Sequence, residues 1–260
     1  MTTRIWISPP SGEQLFGATM LNNGQVCYLG TRILAPQSRY QEVVDTFSAL
    51  AGSLTVGSSL DPATMIGPMA SARQRERVES YIAKGKGDGA RITVGGGRPT
   101  DLDKGWFVEP TIFADVDNNY SIAQEEIFGP VLSIISYRDD EDAVRIANDS
   151  DFGLGGTVFT ADHDHGVAVA RRIQTGTVGI NGYLPDPTAP FGGVKASGLG
   201  RELVRKLCPP TSCRSRSTCK NLVRVRRSGR TRTDRPLIPT GYLPHPRGRE
   251  GVRFIPSLPT

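Results

Sequence analysis

Between residues 31 and 181 the chain alternates short apolar runs with amphipathic stretches, and this alternation restricts the fold more than any other feature. "TRILA" (31–35) is strand-like. "SRYQEVVDTFSALAGSL" (38–54) puts Val43, Val44, Phe47 and Leu50 at helical spacing and closes near Gly52. "TVGSSLDPATMIGPM" (55–69) reads as a Gly/Pro/Ser loop. "SARQRERVESYIAKGKG" (71–87) predicts a polar helix with Val78, Tyr81 and Ile82 on one face and Ser71 as its cap. "ARITVGGG" (90–97) is a strand and a turn, and "GWFVEPTIFADV" (105–116) reads as extended, broken at Pro110. "VLSIISYRD" (131–139) is apolar enough for a buried central strand. A helix over 139–150 has an acidic first turn, which suits the macrodipole. A strand (155–162), a helix (162–174) and a strand (176–181) complete the series. Strand and helix in alternation predict an α/β fold, a largely parallel sheet flanked by helices. There is no internal repeat.

The pattern stops after Leu203. Residues 1–203 hold 17 Lys and Arg against 24 Asp and Glu, a net of −7; residues 204–260 hold 14 against 2, a net of +12. The Arg-, Pro- and Ser-rich remainder has too little apolar surface to offset its ordering entropy, which predicts disorder from about residue 206. A basic segment of this kind attracts polyanions through charge alone, but it carries no nucleic-acid module, so no specific nucleic-acid partner is expected. The opening 21 residues lack a long apolar core behind a basic start, and no run approaches a membrane span, so neither a leader nor a membrane partner is expected. Three of the four cysteines lie beyond residue 203, at 208, 213 and 219, with no zinc-like spacing and no disulfide framework. A reducing cytoplasm is the expected location.

Four segments carry residues with chemical capacity. "LNNGQVCYLG" (21–30) holds Cys27 behind a polar turn whose Gly24 permits an unusual backbone and whose Asn22, Asn23 and Gln25 offer amides to a substrate oxygen. On its own residues the segment suits a buried structural thiol better than a nucleophile. "QEEIFGPV" (124–131) sets two carboxylates beside an aromatic; a carboxylate at a strand edge binds a sugar diol, though alone it fits a solvated turn. "APFGGVKASGLGRE" (189–202) is a glycine-dense loop carrying Phe191, Lys195, Arg201 and Glu202, either a place of close approach to a ligand or a surface turn. It lacks the ending of a triphosphate-binding loop. His163 and His165, two apart at a helix start, do not share a face, so no metal site is expected.

Taken together and in order, "NNGQVCYLGTR", "GPM", "GWFVEPTIF", "QEEIFGPVLSI", "ANDSDFGLGGTVFT", "GTVGIN" and "PFGGVKASGLGRE" resemble the aldehyde dehydrogenase superfamily over about residues 16 to 203. The resemblance implies an aldehyde dehydrogenase-type catalytic domain over 16–203, a non-family segment over 1–15 and the basic tail over 204–260. It implies NAD(P)-dependent oxidation of an aldehyde to a carboxylic acid through a thiohemiacetal and a thioester on Cys27. Glu126 would hold the nicotinamide ribose of NAD or NADP, with Phe128 packed near it. Val26, Tyr28 and Phe191 would line the substrate passage, and Glu202 would serve proton transfer. The departures carry expectations too. The family's Rossmann-type cofactor domain has no counterpart in the 26 residues before Cys27, nor has the glutamate that activates the hydrolytic water. Glu13 stands in the wrong context for that role. The change after Leu203 looks like a frameshift or misjoined reading frame. The chain alone is therefore expected to be weakly active or inactive. A second reading makes it a non-catalytic remnant that associates with full-length relatives.

Overall fold

A computed structural model of the chain describes residues 2–6, 12–183, 185–187 and 189–203. The expected disorder beyond residue 206, and the cysteines at 208, 213 and 219, lie outside the described residues. The strands are β1 Thr2–Trp6, β2 Gly30–Pro36, β3 Arg91–Val94, β4 Thr111–Ala114, β5 Val131–Tyr137, β6 Phe152–Gly153, β7 Gly155–Phe159, β8 Thr177–Ile180 and β9 Val194–Lys195. The helices are α1 Gly12–Thr19, α2 Tyr40–Ser53, α3 Ala72–Gly87, α4 Ser121–Gln124, α5 Asp140–Asn148 and α6 His163–Ala170. Seven strands form one sheet in the order β3-β4-β5-β2-β1-β7-β8, while β6 and β9 make a separate two-stranded ladder. Edge strand β3 runs antiparallel to β4, and every other neighbouring pair in the large sheet is parallel.

Side-chain alternation in the strands assigns the two faces. Ile33, Ala35, Ile112, Ala114, Leu132 and Ile134 pack with Val43, Val44, Phe47 and Ala51 of α2 and Leu15 of α1. Leu34, Phe113, Val131 and Ile135 point the other way, into a core shared with α3, α4, α5 and α6. The α2 residues at helical spacing are therefore its buried stripe, except that Leu50 is only partly buried. β5 is the buried central strand its apolar run predicts, with only Ser136 exposed. The Ser71 hydroxyl caps α3 by accepting from the Gln74 N–H at 3.2 Å, and the Asp139 carboxylate caps α5 by accepting from the Asp142 N–H at 2.9 Å.

The sequence pattern and the structure differ in several places. Of the extended stretch 105–116, only Thr111–Ala114 joins the sheet; Pro110 cannot donate to a ladder, and the strand begins after it. The helix expected over 162–174 ends at Ala170. Residues 1–15 lie before the alternating pattern, yet β1 lies inside the sheet, bonded to β2 on one side and β7 on the other.

The six parallel strands start from one end of the sheet. Gly30 pairs with Thr2, Thr111 with Val131 and Gly155 with Thr177, so these amino termini lie in register. The segments entering β2 and β5 carry candidate chemistry, and the glycine-dense loop 189–202 packs against the start of β8 through Gly176 and Gly192.

Candidate active site

The thiol of Cys27 is free and exposed, three residues before β2. That removes the buried structural thiol. The turn ahead of it is a short 3-10 segment, Leu21–Gly24, in which Asn22, Asn23 and Gly24 adopt φ of 51°, 60° and 71°. Its side-chain amides have partners within the fold. The Asn23 side chain accepts from the Gly67 N–H at 2.8 Å and donates to the Pro68 carbonyl at 3.1 Å. The Gln25 side chain accepts from the Ala70 N–H at 3.1 Å, and the Asn22 amide turns back to the Gln25 carbonyl at 3.5 Å. These groups anchor the turn to the "GPM" loop, 44 or 45 residues away, and so fix where Cys27 emerges.

Gly24 brings the second segment in. A β-carbon there would lie 2.2 Å from the Gly129 carbonyl oxygen and 2.9 Å from the Pro130 nitrogen, so backbone rests on backbone. Phe128, at φ 62°, and Glu126 are half-buried on that loop. α3 holds the loop from behind. Gln74 donates to the Ile127 and Phe128 carbonyls at 3.0 and 2.7 Å, and Arg77 donates to the Glu126 carbonyl. The Tyr81 hydroxyl donates to the Glu125 carboxylate at 2.5 Å; burial, reinforced by that carboxylate, pushes the Tyr81 hydroxyl above its ordinary pKa. Glu125 is thus committed to the scaffold. Gln74, Arg77 and Tyr81 carried no sequence signal for this task, because their partners lie 44 to 54 residues away.

Tyr183 is a further residue that the motifs did not reveal. Its ring stacks on Tyr28 with centroids 5.5 Å apart and an interplanar angle of 39°. Its hydroxyl bonds the Thr177 hydroxyl, and its ring lies 3.1 Å from where a β-carbon on Gly155 would stand. The starts of β7 and β8 are therefore roofed by the aromatic pair that begins beside Cys27. Val26 is half-buried next to the thiol.

Phe191 and Glu202 form a second assembly. Their backbones make a reciprocal bridge, with N–H to carbonyl distances of 3.0 and 2.7 Å. Phe191 is half-buried and Glu202 exposed. Gly192 admits close backbone packing: a β-carbon on Gly176 would stand 1.7 Å from the Gly192 carbonyl oxygen, and one on Gly192 would stand 2.3 Å from that of Gly200. This packing also lies at the start of β8. Lys195 donates to the Asn148 and Ser150 carbonyls at 2.6 and 2.8 Å, and Arg201 to those of Gly193 and Gly200 at 2.6 and 2.8 Å. Arg201 thus closes the loop on itself, while Lys195 ties it to the end of α5.

All seven candidates thus stand on segments at the amino ends of parallel strands, whereas ligands of open α/β sheets ordinarily gather at the carboxyl ends. A hollow of about 560 Å³ at the carboxyl end of β2, β4 and β5, lined by Tyr40, Asp115, Val116 and Tyr120 among others, includes none of them. His165 is paired with Asp140 at 2.5 Å and His163 faces Asp164 at 3.6 Å. Among the described residues no three metal-binding side chains gather, and no helix is long and apolar enough to cross a membrane.

Residues 12–209 match the aldehyde dehydrogenase family, and the chain belongs to that family. It is 62% identical over 186 residues to geranial dehydrogenase of Castellaniella defragrans, covering 72% of this chain and 38% of that protein. It is 45% identical over 197 residues to betaine aldehyde dehydrogenase of Brucella ovis, covering 73% and 40%. The fold superposes on Mycobacterium tuberculosis aldehyde dehydrogenase complexed with NAD+ with a TM-score of 0.74 and 51% identity, over 77% of this chain and 42% of that one. The chain therefore spans about two fifths of the length of these relatives.

Proposed function

We propose that this chain carries the thiol side of an aldehyde-oxidising site. The observation that carries the reading is the exposed Cys27 at the amino end of β2, on a turn seated directly against the Glu126–Phe128 loop. As thiolate, Cys27 attacks the aldehyde carbon, and its own backbone N–H stabilises the resulting oxyanion. Loss of hydride from this thiohemiacetal leaves a thioester, which water cleaves to the carboxylic acid and the free thiol. NAD or NADP, when bound, accepts the hydride. Glu126 and Phe128 fit one end of such a cofactor: a carboxylate that accepts from a ribose diol and an aromatic edge, both half-buried on a loop braced from behind. Glu202 moves a proton, and Val26, Tyr28 and Phe191 border the aldehyde. These apolar neighbours, with Tyr183, support an apolar aldehyde, as does the identity to a geranial dehydrogenase.

The described residues contribute only a small part of a dinucleotide's contacts, and orientation of the reactants supplies much of the barrier reduction in a transfer of this kind. The chain alone is expected to act as a slow esterase and to yield little or no reduced cofactor. Hydrolysis of p-nitrophenyl acetate that disappears in Cys27→Ser supports the reading. Equal hydrolysis by both chains removes Cys27 as the nucleophile, and robust NADH formation from aldehyde and NAD+ removes the expectation of an incomplete site.

A further inference from the structure

The carboxyl end of α5 receives side chains from every segment that bears a candidate site residue. Helix ends leave carbonyl oxygens without partners and carry partial negative charge, so they accept amide donors and favour cations. Arg32, on β2 and 1% exposed, donates from Nη2 to the Ile146 carbonyl at 2.6 Å and to the Asn118 side-chain oxygen at 2.5 Å. Burial lowers its pKa to about 10, against the opposing pull of Asp149, so it remains a cation near neutrality. Asn118 passes the connection on, donating to the Asp149 carboxylate at 2.7 Å and to its carbonyl at 3.3 Å. Gln124 donates to the Asp149 carbonyl at 3.0 Å and to the Asn118 carbonyl at 2.6 Å. Lys195 covers the Asn148 and Ser150 carbonyls.

Each of these side chains stands close in sequence to a candidate site residue. Arg32 lies five residues after Cys27. Gln124 lies two before Glu126 and four before Phe128. Lys195 lies inside the loop that the Phe191–Glu202 bridge closes. We propose that the end of α5, residues 146–150, is a hub that sets the mutual placement of these three segments, with Arg32, Asn118, Gln124 and Lys195 as positioning residues for the thiol site. This deepens the reading given above and rests on it for the roles of the placed residues. None of the four needs to touch substrate. A displaced Lys195 leaves two carbonyls without their donor, and the loosened helix end releases Arg32 and Asn118 in turn.

The test uses the full chain, with Lys195→Met and Asn118→Ala as disrupting variants and Lys195→Arg as the conservative one. Two readouts are followed: the rate of Cys27 alkylation by iodoacetamide across pH, measured on its peptide by mass spectrometry, and amide hydrogen exchange over 125–129 and 191–202. Each disrupting variant should shift the alkylation rate by about threefold or more and raise exchange in both loops, and Lys195→Arg should keep the parent values. Effects confined to the mutated segment, with Cys27 unchanged, overturn the proposal. Should Asn118→Ala fail to fold, Lys195→Met decides alone, because that side chain lies on an exposed residue. Neither readout requires aldehyde turnover. A failed hub therefore appears as unchanged alkylation, whereas a failed functional reading appears as esterase activity independent of Cys27.

Discussion

Gly24 is the residue on which the two loops of the proposed thiol site meet. At φ 71° it occupies the left-handed region, and any β-carbon there meets the Gly129 carbonyl at 2.2 Å. Backbone strain alone at such a position costs about 1–3 kcal/mol, before the loop is displaced. Gly24→Ala should therefore lower the midpoint of urea unfolding and also change the rate of Cys27 alkylation. A chain with parent stability and parent reactivity would show that the seating of one loop on the other does not matter. Cys27 itself teaches how far residue-level reading reaches. Its neighbours suggested a buried thiol, and its exposure depends on partners at Gly67, Pro68 and Ala70, which no local pattern marks.

α5 shows both ends of an element at work. At its start Asp142, 8% exposed, pairs with Arg145 at 2.7 Å and with Arg138 at 3.4 Å. The Arg145 hydrogen bond is the main reason that its carboxyl is held below the ordinary value near 4. A depressed carboxyl stabilises the fold above its unfolded-state pKa, and that contribution is lost as pH falls through the folded-state value. Thermal stability should therefore be level above about pH 5 and decline below about pH 4, and Asp142→Asn should flatten that decline. A second prediction belongs to β1. Ile5→Pro deletes a donor in a strand bonded on both sides, so the cooperative thermal transition followed by circular dichroism should be lost. A parent-like melt would place β1 outside the folded unit. The elements that periodicity revealed, β2, α2, α3, β5, α5, β7 and β8, are those whose own residues carry an apolar stripe or run. β1, α1, α4 and the β6–β9 ladder are not legible in this way. Five residues before Ser-Pro-Pro, a single helical turn and two-residue strands draw their definition from neighbours far along the chain.

At the scale of the molecule, the proposed thiol site lies on a folded framework, and among the described residues few groups suit a dinucleotide. It should transfer acyl groups slowly while failing to couple aldehyde oxidation to NAD+ reduction, and stopped-flow absorbance should show no burst of NADH. A burst proportional to enzyme would mean that the cofactor finds enough contacts in this chain. The way the turn before Cys27 is anchored has a last consequence, in chemical ageing. Asn23–Gly24 is the kind of dipeptide most prone to close into a succinimide, because glycine leaves its nitrogen unhindered for attack on the side-chain amide. In the folded chain both ends of that amide are held, by the Gly67 N–H and the Pro68 carbonyl. Cyclisation must wait for the turn to open. Deamidation at Asn23 therefore becomes a covalent record of how often the fold loosens, written beside the group whose reactivity depends on it.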